Sequence, residues 1–225
     1  MQQKSIASII MLSYMIIVVF VLLVLAWMLN RSISFDNANS INNFKNHLHD
    51  ISTIMSVEYE HSRKLSNQIA RHPKLKALIE SDDPFDIENW TINTRQLAPD
   101  VIGLAVFNTL GEIRGDPGHQ RIGQSCLIDI KLLADELAVS SPPVHQDVFL
   151  PHFDIVIPID FTKRKANFLL VSHSLDLLKA HLVKLSQPHT YYELVNAANQ
   201  IVVRMGEYQS DIQFKLPVEG TAWTL

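Results

Sequence analysis

The residues best equipped for chemistry in this chain are its ten histidines. Three of them, His145, His152 and His173, fall on or beside segments that read as β-strands, and Asp154 is near. Imidazole and carboxylate donors together suit zinc or nickel. Their spacing matches no diagnostic metal motif, however, so they read as core or solvated histidines, and neither a metal nor a cofactor is expected. Ser, His and Asp are all present, yet no spacing singles out a triad. The chain has no GxSxG, HExxH, P-loop or GxGxxG pattern, and these residues are not expected to form an enzyme. The one cysteine, Cys126, excludes an intrachain disulfide and argues against a Cys-based zinc site. It reads as a small buried apolar residue.

The elements that must hold these side chains begin at a membrane. Ile6 to Leu29 is uncharged and apolar, with Lys4 before it and Arg31 after it. A helix over this stretch, at ~1.5 Å per residue, is about 36 Å long, enough to cross a hydrocarbon core of about 30 Å with some tilt. A lone segment in lipid must satisfy its own backbone hydrogen bonds and so must be helical. The apolar run exceeds a signal-peptide core, and Ala26-Trp27-Met28 offers no cleavage pattern. The expectation is an uncleaved anchor with residues 1–5 inside and the domain outside. Lys4 and the amino terminus against Arg31 make a near tie in the positive-inside comparison. A net charge of −4, with no long run of lysine or arginine, gives no reason to expect nucleic acid.

Residues 32–80 read as a long membrane-proximal helix. Ile41, Phe44, Leu48, Ile51 and Met55 share one face, and Leu65, Ile69, Leu75 and Leu78 continue an apolar stripe. His72-Pro73 marks a kink or a break. The first stripe has two readings: a helix lying along its own domain, or a coiled-coil seam to a second copy. A short helix over Asp86 to Leu97 follows, with Asp86 as its N-cap. Val101–Asn108 and Glu112–Gly115 form a hairpin turning at Gly111. A helix over Asp129 to Val139 comes next, then strands at Val144–Leu150, Phe153–Asp160 and Asn167–His173, then a helix from a Ser174 cap to Leu185, with Leu175, Leu178 and Leu182 on one face. Short connections argue for an antiparallel sheet in an α+β fold. The stretch Leu104 to Arg114 has an echo without gaps at Tyr192 to Val202, which aligns Asn108 with Asn196 and Gly111 with Asn199. Asparagine is the usual non-glycine choice at a left-handed turn position, so a second hairpin is expected. Short strands at Asp211–Leu216 and Thr221–Leu225 would complete a small second β subdomain over 190–225.

The order of these motifs resembles the Cache family, the PAS-like extracytoplasmic sensor domains of bacterial receptors. The resemblance is carried by the anchor running into a long helix, the hairpin VIGLAVFNTLGEIRG, the series FDIVIPID, NFLLVSHS and LDLLKAHL, and the closing GTAWTL. Several features depart from it: the strand at Asn167 lacks the usual opening glycine, Asn199 replaces glycine in the second hairpin, and the closing stretch is short for a complete second Cache module. The resemblance implies a PAS-like sensor module over 86–186, held in the periplasm by a single pass through the inner membrane. It also implies a small-molecule ligand, a homodimer through the long helix, and a chain that is the N-terminal part of a longer receptor. The implied output is of GGDEF/EAL, histidine kinase or chemotaxis type, cyclic di-GMP turnover first. By the same resemblance the pocket would draw on Arg95, Asp116, His145, Asp154 and His173, with Trp90 as a wall. Arg95 could grip a ligand carboxylate as a planar fork, or form a surface salt bridge; Trp90 could equally be core. The family's amino-acid-binding signature is not reproduced. The alternative function is a membrane-anchored envelope scaffold whose domain binds another protein.

Overall fold

The computed structural model describes residues 6–81, 83–108, 112–115, 142–145, 150–160, 167–188, 190–197, 199–207 and 213–225. It has two compact units, Met1–His47 and Leu48–Leu225. The expected helix over 129–139, Cys126, Gly111 and Asp116 lie outside the described residues.

In the first unit residues 6–47 are helical. Its large apolar side chains, from Ile10 through Leu29, are exposed, as a segment facing lipid requires. The Arg31 guanidinium lies 5.3 Å from the Trp27 ring centroid, a cation–π contact at the end of the apolar run.

Helix α1 spans Ile6–Ala70 and so enters the second unit. There Leu48, Ile51 and Met55 are buried, as the 3-4 spacing requires of one face. Each fully buried side chain of this size contributes roughly 1.5–3 kcal/mol. From Leu48 onward, therefore, this stripe serves the domain itself. The helix ends where Pro73 removes an N–H and disfavours helical geometry at His72; α2 restarts at Pro73–Ser81. Helix α3, Pro84–Gln96, is capped by Asp83 and not by Asp86. The Asp83 carboxylate accepts from the Phe85 N–H at 2.9 Å and the Asp86 N–H at 3.4 Å. Pro84 at the first helical position explains the offset, because proline fits N1 and moves the cap to the residue before it.

Among the described residues seven strands follow: β1 Val101–Asn108, β2 Ile113–Arg114, β3 Val144–His145, β4 His152–Asp160, β5 Asn167–Ser174, β6 Tyr192–Val195 and β7 Ile201–Met205. The first five make one antiparallel sheet in the order β2-β1-β5-β4-β3, and β6-β7 make a second. This is the α+β architecture and antiparallel sheet that the PAS-like resemblance implies. Alternation along the strands divides the large sheet's side chains between two faces. On one face Leu104, Val106, Leu169 and Val171 pack with Ile69, Leu75, Leu78, Ile87 and Trp90 from α1, α2 and α3. On the other, Ala105, Phe107, Phe168 and Leu170 form a separate cluster. Helix α4, Asp176–Leu185, buries Leu178 and Leu182. It starts after Leu175 without a side-chain cap bond, although Ser174 Oγ still accepts the Asp176 N–H at 3.1 Å.

The internal echo is repeated atom for atom. In the first turn Asn108 Oδ1 accepts the Glu112 N–H at 3.1 Å and Asn108 Nδ2 donates to Glu112 Oε2 at 2.6 Å. In the second, Asn196 Oδ1 accepts the Gln200 N–H at 2.9 Å and Asn196 Nδ2 donates to Gln200 Oε1 at 2.7 Å. Asn199 has φ 57°, the left-handed geometry expected of it. The last segment forms bridges rather than strands, Thr224 pairing with Val195 and Pro217. It is tied to α1 by Ser52 Oγ, which donates to the Pro217 carbonyl at 3.0 Å, and Ser56 Oγ, which donates to the Glu219 carbonyl at 2.6 Å. Tyr59, Phe153 and Trp223 close this corner, with Trp223 edge-on to Tyr59 at 5.1 Å and to Phe153 at 5.4 Å.

Candidate functional site

Three neighbouring strands carry polar side chains into one buried spot. β3 supplies His145, β4 supplies His152 and Asp154, and β5 supplies Ser172. His145 and His152 are cross-strand partners, and Asp154 is opposite Ser172. All four are buried, Asp154 being 2% exposed and His152 3%. His145 Nε2 lies 3.3 Å from Asp154 Oδ2, and His152 Nε2 lies 3.7 Å from Asp154 Oδ1. Ser172 Oγ donates to Asp154 Oδ1 at 2.5 Å. The two imidazole rings are 4.9 Å apart between centroids. Gly103, the β1 partner of Ser172, brings no side chain to this face.

His152 has a fixed orientation, because its Nδ1 is 2.7 Å from the Leu150 carbonyl oxygen. A carbonyl only accepts, so Nδ1 carries the proton and Nε2 is the nitrogen turned to Asp154. Burying a carboxylate with two imidazoles is costly unless the charges are compensated. A buried set of titratable groups converging from three strands is accordingly a functional-site candidate.

His173 belongs to the opposite face. It neighbours Ser172 on the strand, so alternation sends the two side chains apart. Its ring stacks on Phe153 at 5.3 Å, and its Nε2 meets Ser66 Oγ of α1 at 2.8 Å. Ser66 Oγ itself donates to the Ser62 carbonyl at 2.8 Å, which makes His173 Nε2 the donor in the pair. His173 Nδ1 is buried with no hydrogen-bond partner. Burial lowers the His173 pKa from its ordinary 6.5 to about 4, with the Asp154 charge opposing that shift and His61 reinforcing it. This Ser–His contact is not a catalytic dyad: no carboxylate orients Nδ1, and both residues are sealed from solvent.

The six residues named from sequence are therefore split. His145 and Asp154 come together; His173 is behind the sheet. Trp90 is a core aromatic among the residues that α1, α2 and α3 pack on the sheet, not a pocket wall in the polar cluster. Arg95 is half-buried in the last turn of α3, the helix that packs on β1 and β2. Those strands are separated from β3 and β4 by β5. Asp116 lies outside the described residues. Ser172 was not anticipated, and His152 was weighed only as a metal donor. A period-2 reading of HFDIVIPID would have put His152 beside Asp154 on one face.

No family model matches the chain, and neither does any curated protein. Solved structures similar to it include the sensory domain of the Campylobacter jejuni chemoreceptor Tlp3, at 14% identity and TM-score 0.48, covering 72% of this chain and 70% of that one. The same domain with isoleucine bound gives 15% identity and TM-score 0.46, over 74% and 71%. The periplasmic domain of Vibrio cholerae LuxQ gives 13% identity and TM-score 0.47, over 73% and 80%.

Proposed function

We propose that this chain is the ligand-sensing part of a bacterial transmembrane signalling receptor, its domain lying in the periplasm and its apolar helix crossing the inner membrane. The observation that carries this reading is the buried polar cluster of His145, His152, Asp154 and Ser172 on the sheet face away from α1–α3. An apolar core gains nothing from such a set, whereas a ligand site needs a few convergent polar groups within apolar walls. Helix α1 supports it, because one element holds both the apolar span and the side chains Ser52, Ser56 and Ser66 that bond inside the domain. A ligand shifts such a receptor only through unequal affinity for two states of the domain. Two copies pairing through α1 would use faces other than the Leu48–Ile51–Met55 stripe.

The test is a thermal-shift screen of the whole chain in mild detergent against small carboxylates, amino acids, amines and purines. A ligand at about 100 times its dissociation constant stabilises by roughly 2.7 kcal/mol, which is several degrees at this size. A saturable shift that Asp154→Asn abolishes is expected. A flat response from the folded chain would overturn the reading in favour of an envelope scaffold.

A further inference from the structure

Donor atoms of the kind that bind metal ions converge at β3–β4. One ring nitrogen each of His145 and His152 and a carboxylate oxygen of Asp154 lie within 4.8 Å of one another, all three residues buried. In a tetrahedral site with ligand bonds of about 2.0–2.1 Å, two donors sharing one ion stand roughly 3.3–3.4 Å apart. His145 Nε2 lies 3.3 Å from Asp154 Oδ2 and His152 Nε2 lies 3.7 Å from Asp154 Oδ1, near that spacing for a carboxylate that meets one imidazole with each oxygen.

Orientation supplies the second observation. With its Nδ1–H directed at the Leu150 carbonyl, His152 presents Nε2 toward a carboxylate oxygen of Asp154. A histidine that donates its other N–H to a backbone carbonyl is also the usual partner arrangement of a metal ligand, as is a ligating carboxylate held by a hydroxyl. Ser172 supplies that hydroxyl.

We propose that His145, His152 and Asp154 bind one divalent transition-metal ion of the zinc class, through His145 Nε2, His152 Nε2 and the Asp154 carboxylate. Two imidazoles and one carboxylate are donors of the kind that zinc accepts. Three protein ligands leave one tetrahedral position for water or for a donor atom of a small molecule. The inference deepens the sensor reading and rests on it for the site's role; occupancy by an ion is measured separately.

The experiment strips the whole chain in detergent with a chelator and titrates it with Co2+, whose visible absorption reports four-coordinate geometry. One equivalent should bind with intensified visible bands, and Zn2+ should displace it stoichiometrically. His152→Gln and Asp154→Asn should each abolish the bands, while His72→Gln, at the α1–α2 break, should leave them intact. X-ray absorption at the zinc edge of the wild-type chain should show two imidazoles, further oxygen and no sulfur, a readout independent of whether the variants fold. A folded wild-type chain giving only the spectrum of aqueous Co2+, or bands that survive both site variants, would overturn the proposal. A ligand found by the thermal-shift screen for a chain that the Co2+ titration shows to bind no ion would overturn the proposal and leave the sensor reading in place.

Discussion

His173 should give the domain an acid-sensitive stability that one substitution removes. In the folded chain it titrates at about 4, against an ordinary 6.5. The unfolded chain therefore binds more protons than the folded one between those values, and stability falls as pH drops through that window. Above about 6.5 both states are neutral at this residue and its contribution is complete; below about 4 both are protonated and the loss is complete. A difference of two to three pH units, at about 1.4 kcal/mol each, amounts to roughly 3 kcal/mol. With His173 only 1% exposed, solvent screening does not reduce it much. For a chain of this size that is roughly 6–12 °C in Tm. The perturbation is His173→Phe, which keeps the stack on Phe153 and leaves Ser66 its bond to the Ser62 carbonyl. The charged neighbours that act on His173, Asp154 and His61, remain in both proteins. The assay is thermal unfolding of the whole chain in detergent from pH 7.5 to 4, in metal-free buffer, followed by near-ultraviolet circular dichroism. The wild type should lose roughly 3 kcal/mol more than the variant across that range. Parallel pH profiles for the two proteins would refute the reasoning, whatever their absolute Tm values.

Two further predictions concern backbone geometry. Asp83→Ala should cost about 1 kcal/mol through the lost cap of α3, while Asp86→Ala should change little, and chemical denaturation of the two variants separates them. Gly206→Ala should be far more damaging than Gly220→Ala. Both have positive φ, but a Cβ at 206 would lie 2.2 Å from the Thr190 carbonyl oxygen, whereas at 220 it meets only the Glu60 carboxylate at 3.4 Å. The left-handed penalty of roughly 1–2 kcal/mol is common to both, so the excess at 206 measures the collision with backbone, read as a difference in Tm.

Much of the architecture was legible because it depends on local rules. The α1 break follows from a proline that cannot donate, and the buried face of α1 from 3-4 spacing. The second hairpin follows from an alignment in which Asn108–Glu112 and Asn196–Gln200 share a turn chemistry. Local rules also failed locally. Asp86 is not the cap because Pro84 fits the first helical position and moves the cap to Asp83, and the described closing segment pairs only through isolated bridges at Pro217 and Thr224.

The site was legible only in part, for a reason that alternation makes explicit. Successive strand residues face opposite ways, so Ser172 and His173 can never line one pocket, and neither can Phe153 and Asp154. Asp154 and His173 sit on paired strands and on different faces, so nearness along the sheet does not place them in one pocket. The converse step, bringing His145 to His152, needs the register of β3 against β4. A slip of one residue there would move His145 to the helix-covered face. Register is set by the connection and by which face can be buried, and neither is written in the spacing of three histidines. The observed pairing of Val144 with Phe153 and His145 with His152 is thus the fact on which the cluster depends. A change that shifted this register would dismantle the site while leaving every one of its side chains in the chain.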